Sequence, residues 1–476
     1  MDTIMIQLRE SIAVKRPIQE AFAYIADFRN TREWDATAYA GEKLTPGPVR
    51  VGTEFDIDCK LPIGSVRIRY TVTRLEPNTL IELTGKCGLF EVVDLIALDE
   101  EAGTTRIEYQ ADFSFSSALK PMASAAKTGM ERMGRKAVAG LEQALNDDFP
   151  APAASSGTAT ADKLLFPGLA MFSRAGYTRG RKRWNPISAW LGDKHIVITG
   201  ANAGLGLASA HRLAEMGARL TLVIRKQALA ETLKQEIVDA SGNSNVHIEI
   251  ADLSLMSDVD ALVSRLSDRG EAIDVLINNA GALFNPRQLT DEGLEQSFAL
   301  LLLSPYRLTL GLKPLLAKAE QGRVINVVSG GMYSQALEVE SLIMPAQGYS
   351  GSVAYARAKR ALMVITEEWA QAWEDDGIVV NAMHPGWADT PGVESALPGF
   401  HRITRRILRS PEEGADTIVW LAAATEAGEA SGQLFLDREP RTPYLVPSKR
   451  EAAEQRDQLR TFLAEFDIGA HCETAA

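Results

Sequence analysis

The sequence predicts an α/β protein in two parts: a doubly wound parallel sheet, preceded by a smaller α+β domain. Three observations predict it. The stretch His195 to Gly206, HIVITGANAGLG, is a short apolar run that stops at Thr199-Gly200. Glycine returns at Gly204 and Gly206, and Leu207 to Leu220 then carry apolar side chains at helical spacing. That is strand, tight turn, helix. From residue 191 to about 470, strand and helix patterns alternate, which implies a parallel sheet with crossover helices on both faces. Before residue 148, strand-like runs follow one another closely between Pro, Gly and Asn, which implies an antiparallel sheet.

Bulk properties narrow the class. A chain of 476 residues exceeds what one hydrophobic core supports, so two or three domains are expected. The net charge of −12 argues against a nucleic-acid partner. The three cysteines, Cys59, Cys87 and Cys472, are too few and too scattered for a disulfide framework or a metal site. They suit a reducing compartment. The opening residues MDTIMIQLRE show no secretory pattern. No apolar run approaches the roughly 18 residues that a bilayer span needs. The expected location is cytoplasmic.

Residues 1–148 read as one small α+β domain. Met5–Val14 has strand character, and Pro17 opens a helix over Ile18–Phe28. Five strand-like runs follow at Thr53–Leu61, Val66–Glu76, Thr79–Lys86, Phe90–Leu98 and Thr104–Phe115. A long helix closes the domain with one apolar stripe: Leu119, Met122, Ala126, Met130, Met133, Ala137, Leu141 and Leu145. A sheet curved around such a helix leaves either a packed core or a cavity, and the stripe alone favours core. No acid–base constellation stands out here. Asp27, Trp34 and Asp35 read as structural. The stretch RPIQEAFAYIADFRNTREWD, the strand series and the terminal helix resemble the helix-grip proteins of the polyketide-cyclase and lipid-transfer superfamily, of SRPBCC or START type. The resemblance implies a cavity for a lipid, sterol or aromatic polyketide.

Residues 149–190 connect the two parts. Residues 149–162, FPAPAASSGTATAD, have the composition of a flexible linker. The segment 164–184 pairs apolar Leu164, Leu165, Phe166, Leu169, Met171 and Phe172 with Arg174, Arg179, Arg181, Lys182 and Arg183. Such a segment either docks on the following domain or lies peripherally on an anionic membrane surface.

In residues 191–470 the chemistry-bearing residues sit at predicted strand ends, where ligands bind in open parallel sheets. The glycine-rich turn lets a pyrophosphate approach the backbone at a helix N-terminus. The second strand ends in Arg225-Lys226. A basic residue there accommodates the 2′-phosphate of NADP, whereas an acidic one would bind the ribose of NAD, so NADP(H) is expected over NAD(H). Strand three ends at Asp252, strand four in Asn278-Asn279-Ala280-Gly281, and strand five at Ser329. Tyr355 follows 26 residues later and shares a helix face with Lys359. An ammonium beside a phenol lowers the phenol's pKa, which suits acid–base work on an alcohol or carbonyl. A serine hydroxyl can hold the oxygen while hydride moves to or from the nicotinamide.

With TGANAGLG, NNAG, the strand-five serine and YARAK in this order, the region resembles the short-chain dehydrogenase/reductases, with their Rossmann-type sheet. The phrases MHPGWADTPGV, PGFHR, GADTIVWLA and SGQLFLDREPR are similar to one branch, the "member twelve" dehydrogenase/reductases. The resemblance implies that Gly200, Asn202, Gly204, Leu205 and Gly206 hold the cofactor and that Asp252 meets its adenine. It places Asn279 and Gly281 in the cleft and Pro385 and Gly386 beside the nicotinamide. Ser329, Tyr355 and Lys359 carry catalysis, the last two also touching cofactor. One position departs: the family's helix asparagine is replaced by Leu301, which loses a side chain that helps place a water near the lysine.

The leading expectation is an NADP-dependent enzyme interconverting a carbonyl and a secondary alcohol on a hydrophobic substrate. Trp387, Val393, Leu397 and Phe400 would cover that substrate. The alternative is a lipid-binding or sensing protein that holds cofactor with weak turnover; a third reading joins a polyketide cyclase to a ketoreductase. The resemblance also implies a homo-oligomer.

Overall fold

The computed structural model describes residues 4–60, 64–101, 103–115, 120–163, 171–389, 398–444 and 450–466. The chain forms two compact units. The first holds Met1–Pro150 with Asn185–Trp190 and Asp239–Gly242, and the second holds the remainder.

The first unit is a seven-stranded antiparallel sheet in the order β1-β7-β6-β5-β4-β3-β2. Its strands are β1 (Ile4–Val14), β2 (Ala38–Lys43), β3 (Glu54–Lys60), β4 (Ser65–Glu76), β5 (Leu80–Lys86), β6 (Phe90–Glu101) and β7 (Thr104–Phe115). Six of them coincide with the predicted runs. The strand that sequence reading missed, β2, lies at the sheet edge, and only its first residue, Ala38, is buried. With one buried side chain in six, β2 lacks the alternation that marks a half-buried strand.

The closing helix spans Lys120–Asn146. Its end is core, with Val138, Leu141, Ala144 and Leu145 buried. Met130, Met133 and Ala137 instead line a cavity of about 580 Å³. The reading of the whole stripe as core is corrected here: the sheet curves away from the helix faster than the side chains can fill the gap. Leu119, Met122 and Ala126 lie outside the described side chains.

The second unit is an eight-stranded sheet in the order β10-β9-β8-β11-β12-β13-β14-β15. The strands are β8 (His195–Thr199), β9 (Arg219–Ile224), β10 (Val246–Ile250), β11 (Val275–Asn278), β12 (Gly322–Val327), β13 (Ile378–Met383), β14 (Leu434–Leu436) and β15 (Glu439–Arg441). All pairs are parallel except β14 with β15. β8 and β11 adjoin at the point where strand order reverses, which is where such sheets bind ligands. Both β14 and β15 are three residues long, too short for periodicity to reveal.

The predicted helix Leu294–Leu316 is interrupted. Gln296–Phe298 is α-helical, Ala299–Leu303 is a π-turn, and Ser304–Leu316 resumes the α-helix.

The flexible linker is corrected as well. Ser156–Lys163 is a helix. Ser155 and Thr158 donate to Glu439, while Asp162 binds the Arg441 guanidinium and accepts from Thr442 N at 3.0 Å. Small polar residues that promise no core are held here by side-chain hydrogen bonds instead. Of the basic segment, residues 171–184 dock on the second unit, with Phe172 buried and Arg174 paired to Glu413. Residues 164–170 lie outside the described residues. No helix among the described residues is long and apolar enough to cross a membrane.

Candidate active site

The site is built at the carboxyl ends of β8, β9, β11 and β12. At the end of β8, Gly200 takes φ +66°, open to glycine at no steric cost. A side chain on Gly206 would run into the Gly200 carbonyl at 2.4 Å, so both glycines are needed for the turn to close. The helix Gly204–Glu215 then begins at Ala203 with no side-chain cap. The backbone amides of its first turn, from Gly204, Leu205 and Gly206, are therefore the donors that a dinucleotide phosphate requires, and the turn fits that group. Asn202 is exposed beside it. The Leu205 side chain points the other way, against Gly414 in the helix Pro411–Ala423.

Sequence reading passed over Thr199. Its hydroxyl accepts from the amides of Asn279 at 2.9 Å and Ala280 at 3.0 Å. Asn279 in turn donates Nδ2 to the carbonyls of Thr199 (2.8 Å) and Gly200 (3.2 Å). The ends of β8 and β11 are thus clasped by a threonine–asparagine pair. Its signal was the shared position of the two residues at predicted strand ends.

At the end of β9, Arg225 is exposed and lies 3.8 Å from the Asp252 carboxylate. Asp252 is held by the Ser254 hydroxyl at 2.7 Å and the Ser254 amide at 3.0 Å. The two residues face each other across the corner that the sequence assigned to the adenosine end.

Ser329 lies two residues past β12 and caps a short turn, accepting from Gly331 N at 3.2 Å. Tyr355 and Lys359 share a face of the helix Gly351–Ala372. The structure sets Ser329 beside the Tyr355 phenol, near enough to offset part of the effect of its burial. Lys359 Nζ donates to the Val327 carbonyl at 2.7 Å and lies 3.9 Å from the open side of Gly281. Beneath them, Asn278 donates to Thr309 (2.9 Å) and Asn326 (2.8 Å), and Asn326 donates to Thr366 (2.9 Å). This buried network ties β11, β12 and the Tyr355 helix into one platform. Nothing in the sequence singled it out.

The expectation that Lys359 lowers the Tyr355 pKa is not met. Burial pushes the phenol up, and Ser329 offsets part of that rise. Lys359 is itself desolvated, and burial brings its pKa down to about 7, so it is a weak source of positive charge. Leu301 contributes to the apolar surroundings: its Cδ2 lies 3.2 Å from where a Gly281 side chain would begin, on the same side as the ammonium. Leu301 also sits within the π-turn, a form of helix often found at functional positions.

A measurable consequence follows for stability. The folded protein binds fewer protons at Lys359 than the unfolded chain between pH about 7 and pH about 10.5. Stability from this group therefore rises with pH through that window. Lys359→Met removes the buried charge but orphans the Val327 carbonyl. The net gain near pH 7 is expected to be about 1–2 kcal/mol, or roughly 2–4 °C in Tm, shrinking as the pH approaches 10. Scanning calorimetry at several pH values checks it, and a variant whose advantage grows with pH would contradict the assignment.

Pro385 and Gly386 follow β13, and Gly386 takes φ +71°. The adjacent Trp387 packs edge-on against Phe172 at 6.1 Å between ring centroids. Phe172 also stacks on Tyr333 at 6.1 Å and approaches Gly330, the residue after Ser329. A residue from before the sheet thus supports the loop that carries the serine. Val393 and Leu397 lie outside the described residues, as does the side chain of Phe400.

A doubly wound sheet with an uncapped glycine turn at its switch point, and serine, tyrosine and lysine gathered beside it, defines a nucleotide-dependent oxidoreductase. Residues 194–398 match the family model described as short chain dehydrogenase. Residues 5–146 match that described as polyketide cyclase/dehydrase and lipid transport. The chain belongs to the short-chain dehydrogenase/reductase family: it is 41% identical over 295 residues to human dehydrogenase/reductase SDR family member 12, covering 61% of this chain and 92% of that protein. It is 33% identical to mouse retinol dehydrogenase 14, over 51% of this chain and 78% of that protein. To human retinol dehydrogenase 13 it is 28% identical, over 57% of this chain and 84% of that protein.

Proposed function

We propose that the second unit is an NADP(H)-dependent enzyme that interconverts a carbonyl and a secondary alcohol on a hydrophobic molecule. The observation that carries this reading is the meeting of Ser329 with the Tyr355 phenol beside Lys359 and Gly281. In this reading Ser329 holds the substrate oxygen. Tyr355 delivers a proton to it during reduction, or accepts one during oxidation. Lys359 re-protonates Tyr355 and orients it. The bound nicotinamide nucleotide supplies or takes the hydride. Gly200, Asn202, Gly204, Leu205, Gly206, Asn279, Gly281, Pro385 and Gly386 form its cleft, and Asp252 its adenine end. The apolar surface of Trp387 supports a hydrophobic substrate, as do the retinol dehydrogenases among the relatives.

Arg225 supports NADP(H) over NAD(H). A charge-assisted contact to a phosphate contributes about 1.5–3 kcal/mol, which is about a tenfold to hundredfold preference. Arg225→Asp is expected to erase that preference, read as nucleotide Kd by fluorescence titration. Equal affinity for NADPH and NADH in the unaltered protein would refute the cofactor choice.

One observation favours a second reading, a ligand-binding protein with weak turnover: Leu301 leaves Lys359 without a polar side chain where the family has one. Steady-state reduction of a panel of apolar ketones separates the two readings. Turnover by the parent chain that rises on Leu301→Asn supports the enzyme. No turnover by either supports the binding protein.

A further inference from the structure

The first unit carries one carboxyl group where its pleat calls for an apolar side chain. Along β6 the inward positions are Val92, Asp94, Ile96 and Leu98, all buried. Asp94 is 3% exposed and lines the 580 Å³ cavity. Tyr109, on β7, donates its hydroxyl to Asp94 Oδ1 at 3.0 Å. The other oxygen, Oδ2, is buried and makes no hydrogen bond of normal geometry. Tyr70, on β4, faces the same carboxyl from across the cavity wall. Its ring occupies space left by Gly85, where a side chain would begin 2.5 Å from the ring.

A carboxyl in an apolar wall costs several kcal/mol unless it is paired or protonated. No cation pairs with Asp94 among the described residues that line the cavity. Lys60, the one cation among the described lining residues, is exposed to solvent, and Glu10 is partly so. Burial pushes the Asp94 pKa up to about 7, with Tyr109 and Tyr70 offsetting part of the rise. Further polar groups line the cavity. Asp35 accepts from the Thr37 amide and hydroxyl, both at 2.8 Å, and burial raises its pKa. Burial also pushes the Cys59 thiol up to about 12, so it stays protonated near neutral pH. Thr37 and Thr31 also line it, the Thr31 hydroxyl buried and without a hydrogen bond among the described residues, and most of the remaining wall is apolar, including Phe28, Ile57, Ile68, Phe113 and Met133.

We propose that Asp94 is the specificity-determining residue of this cavity: its Oδ2, backed by Tyr109 and Tyr70, binds the ketone or hydroxyl oxygen of an otherwise apolar molecule. The volume lies within the range of small-molecule sites, which combine apolar walls with a few placed polar groups. A protonated Asp94 donates to a ketone, and an ionised one accepts from a hydroxyl. A ligand with a carboxylate head is disfavoured, because it would bring a second acid against a buried one. The site lies wholly within the first unit and stands apart from the reductase reading.

The test uses the full chain without nucleotide, so failure of turnover leaves it untouched. The neutral dye N-phenyl-naphthylamine is displaced by decalin, decalol and decalone, which share one skeleton and differ only in oxygen. One hydrogen bond to a buried group is expected to let decalol or decalone act at about tenfold lower concentration than decalin. Asp94→Leu is expected to bring the three within about twofold while leaving the decalin value in place. Equal displacement in the unaltered protein, or a spread that survives Asp94→Leu, would overturn the proposal. Should Asp94→Leu fail to give a native circular dichroism spectrum, Tyr109→Phe takes its place. It removes one hydroxyl and must narrow the spread.

Discussion

A Tyr355→Phe enzyme is expected to turn over at least about a thousandfold more slowly than the parent chain while binding NADPH with unchanged affinity. The magnitude is that of general acid–base catalysis by one positioned group, roughly 10²- to 10⁴-fold, taken toward its upper end because no neighbour can replace the phenol. Ser329 and Lys359 flank it, but the serine hydroxyl is far too weak an acid, and the Lys359 ammonium donates to the Val327 carbonyl. The substitution removes one oxygen and leaves the ring packed against the core around it. Structure and nucleotide affinity therefore stay, and only the proton is lost. Single-turnover kinetics with a titrated nucleotide pool check the split. Unimpaired turnover would remove Tyr355 from the mechanism and, with it, the carbonyl–alcohol reading.

The unequal legibility of these groups has a physical cause. The glycine turn, Asn279, Ser329, Tyr355 and Lys359 were readable because each stands at a strand end or at helical spacing, where local geometry dictates residue type. The parallel sheet is readable for the same reason: β8, β9, β11, β12 and β13 are largely buried on both faces and form short apolar runs between helices. Asp94 was not singled out, although the alternation Val92, Asp94, Ile96 placed it inward. Its meaning depends on Tyr109 and Tyr70, which lie on other strands and become neighbours only through register. The ionisation of Tyr355 is not legible in the spacing, which places Lys359 near but carries no information on how dry the surroundings are. Leu301 was recognised as a departure, but the π-turn around it is a property of helix packing that no single residue announces. The segment 149–184 shows the converse. Its composition suggested mobility and surface charge, whereas its partners Arg409, Glu413, Glu439 and Arg441 lie more than two hundred residues away in sequence.

The largest loss of stability is expected from Arg409, which holds that segment to the second unit. Its guanidinium is 1% exposed and pairs in bidentate fashion with Asp437, at 2.6 and 2.9 Å. It also donates to the carbonyls of Met171 (2.7 Å), Phe172 (3.1 Å) and Ser173 (3.3 Å). Removing one partner of a buried pair costs about 3–5 kcal/mol, because the remaining charge has lost its compensation. Arg409→Met keeps the volume and should lower unfolding stability by that amount in urea. It should also open residues 171–184 to limited proteolysis. The deficit has a defined pH dependence. Burial already pushes the Asp437 pKa up against the pull of Arg409, and without the guanidinium it rises further. A folded state that holds that proton more tightly than the unfolded chain gains stability as the pH falls, so the variant's deficit should shrink toward pH 5. Adding Asp437→Asn, which tolerates the positive φ of 56° at that position, should recover part of the loss at neutral pH. If Arg409→Met loses less than about 1 kcal/mol, the pair is an ordinary surface-strength bridge and the segment is held by Phe172 alone. If the loss is large but identical at pH 5 and pH 8, the carbonyl contacts to residues 171–173 carry the effect rather than the uncompensated carboxylate.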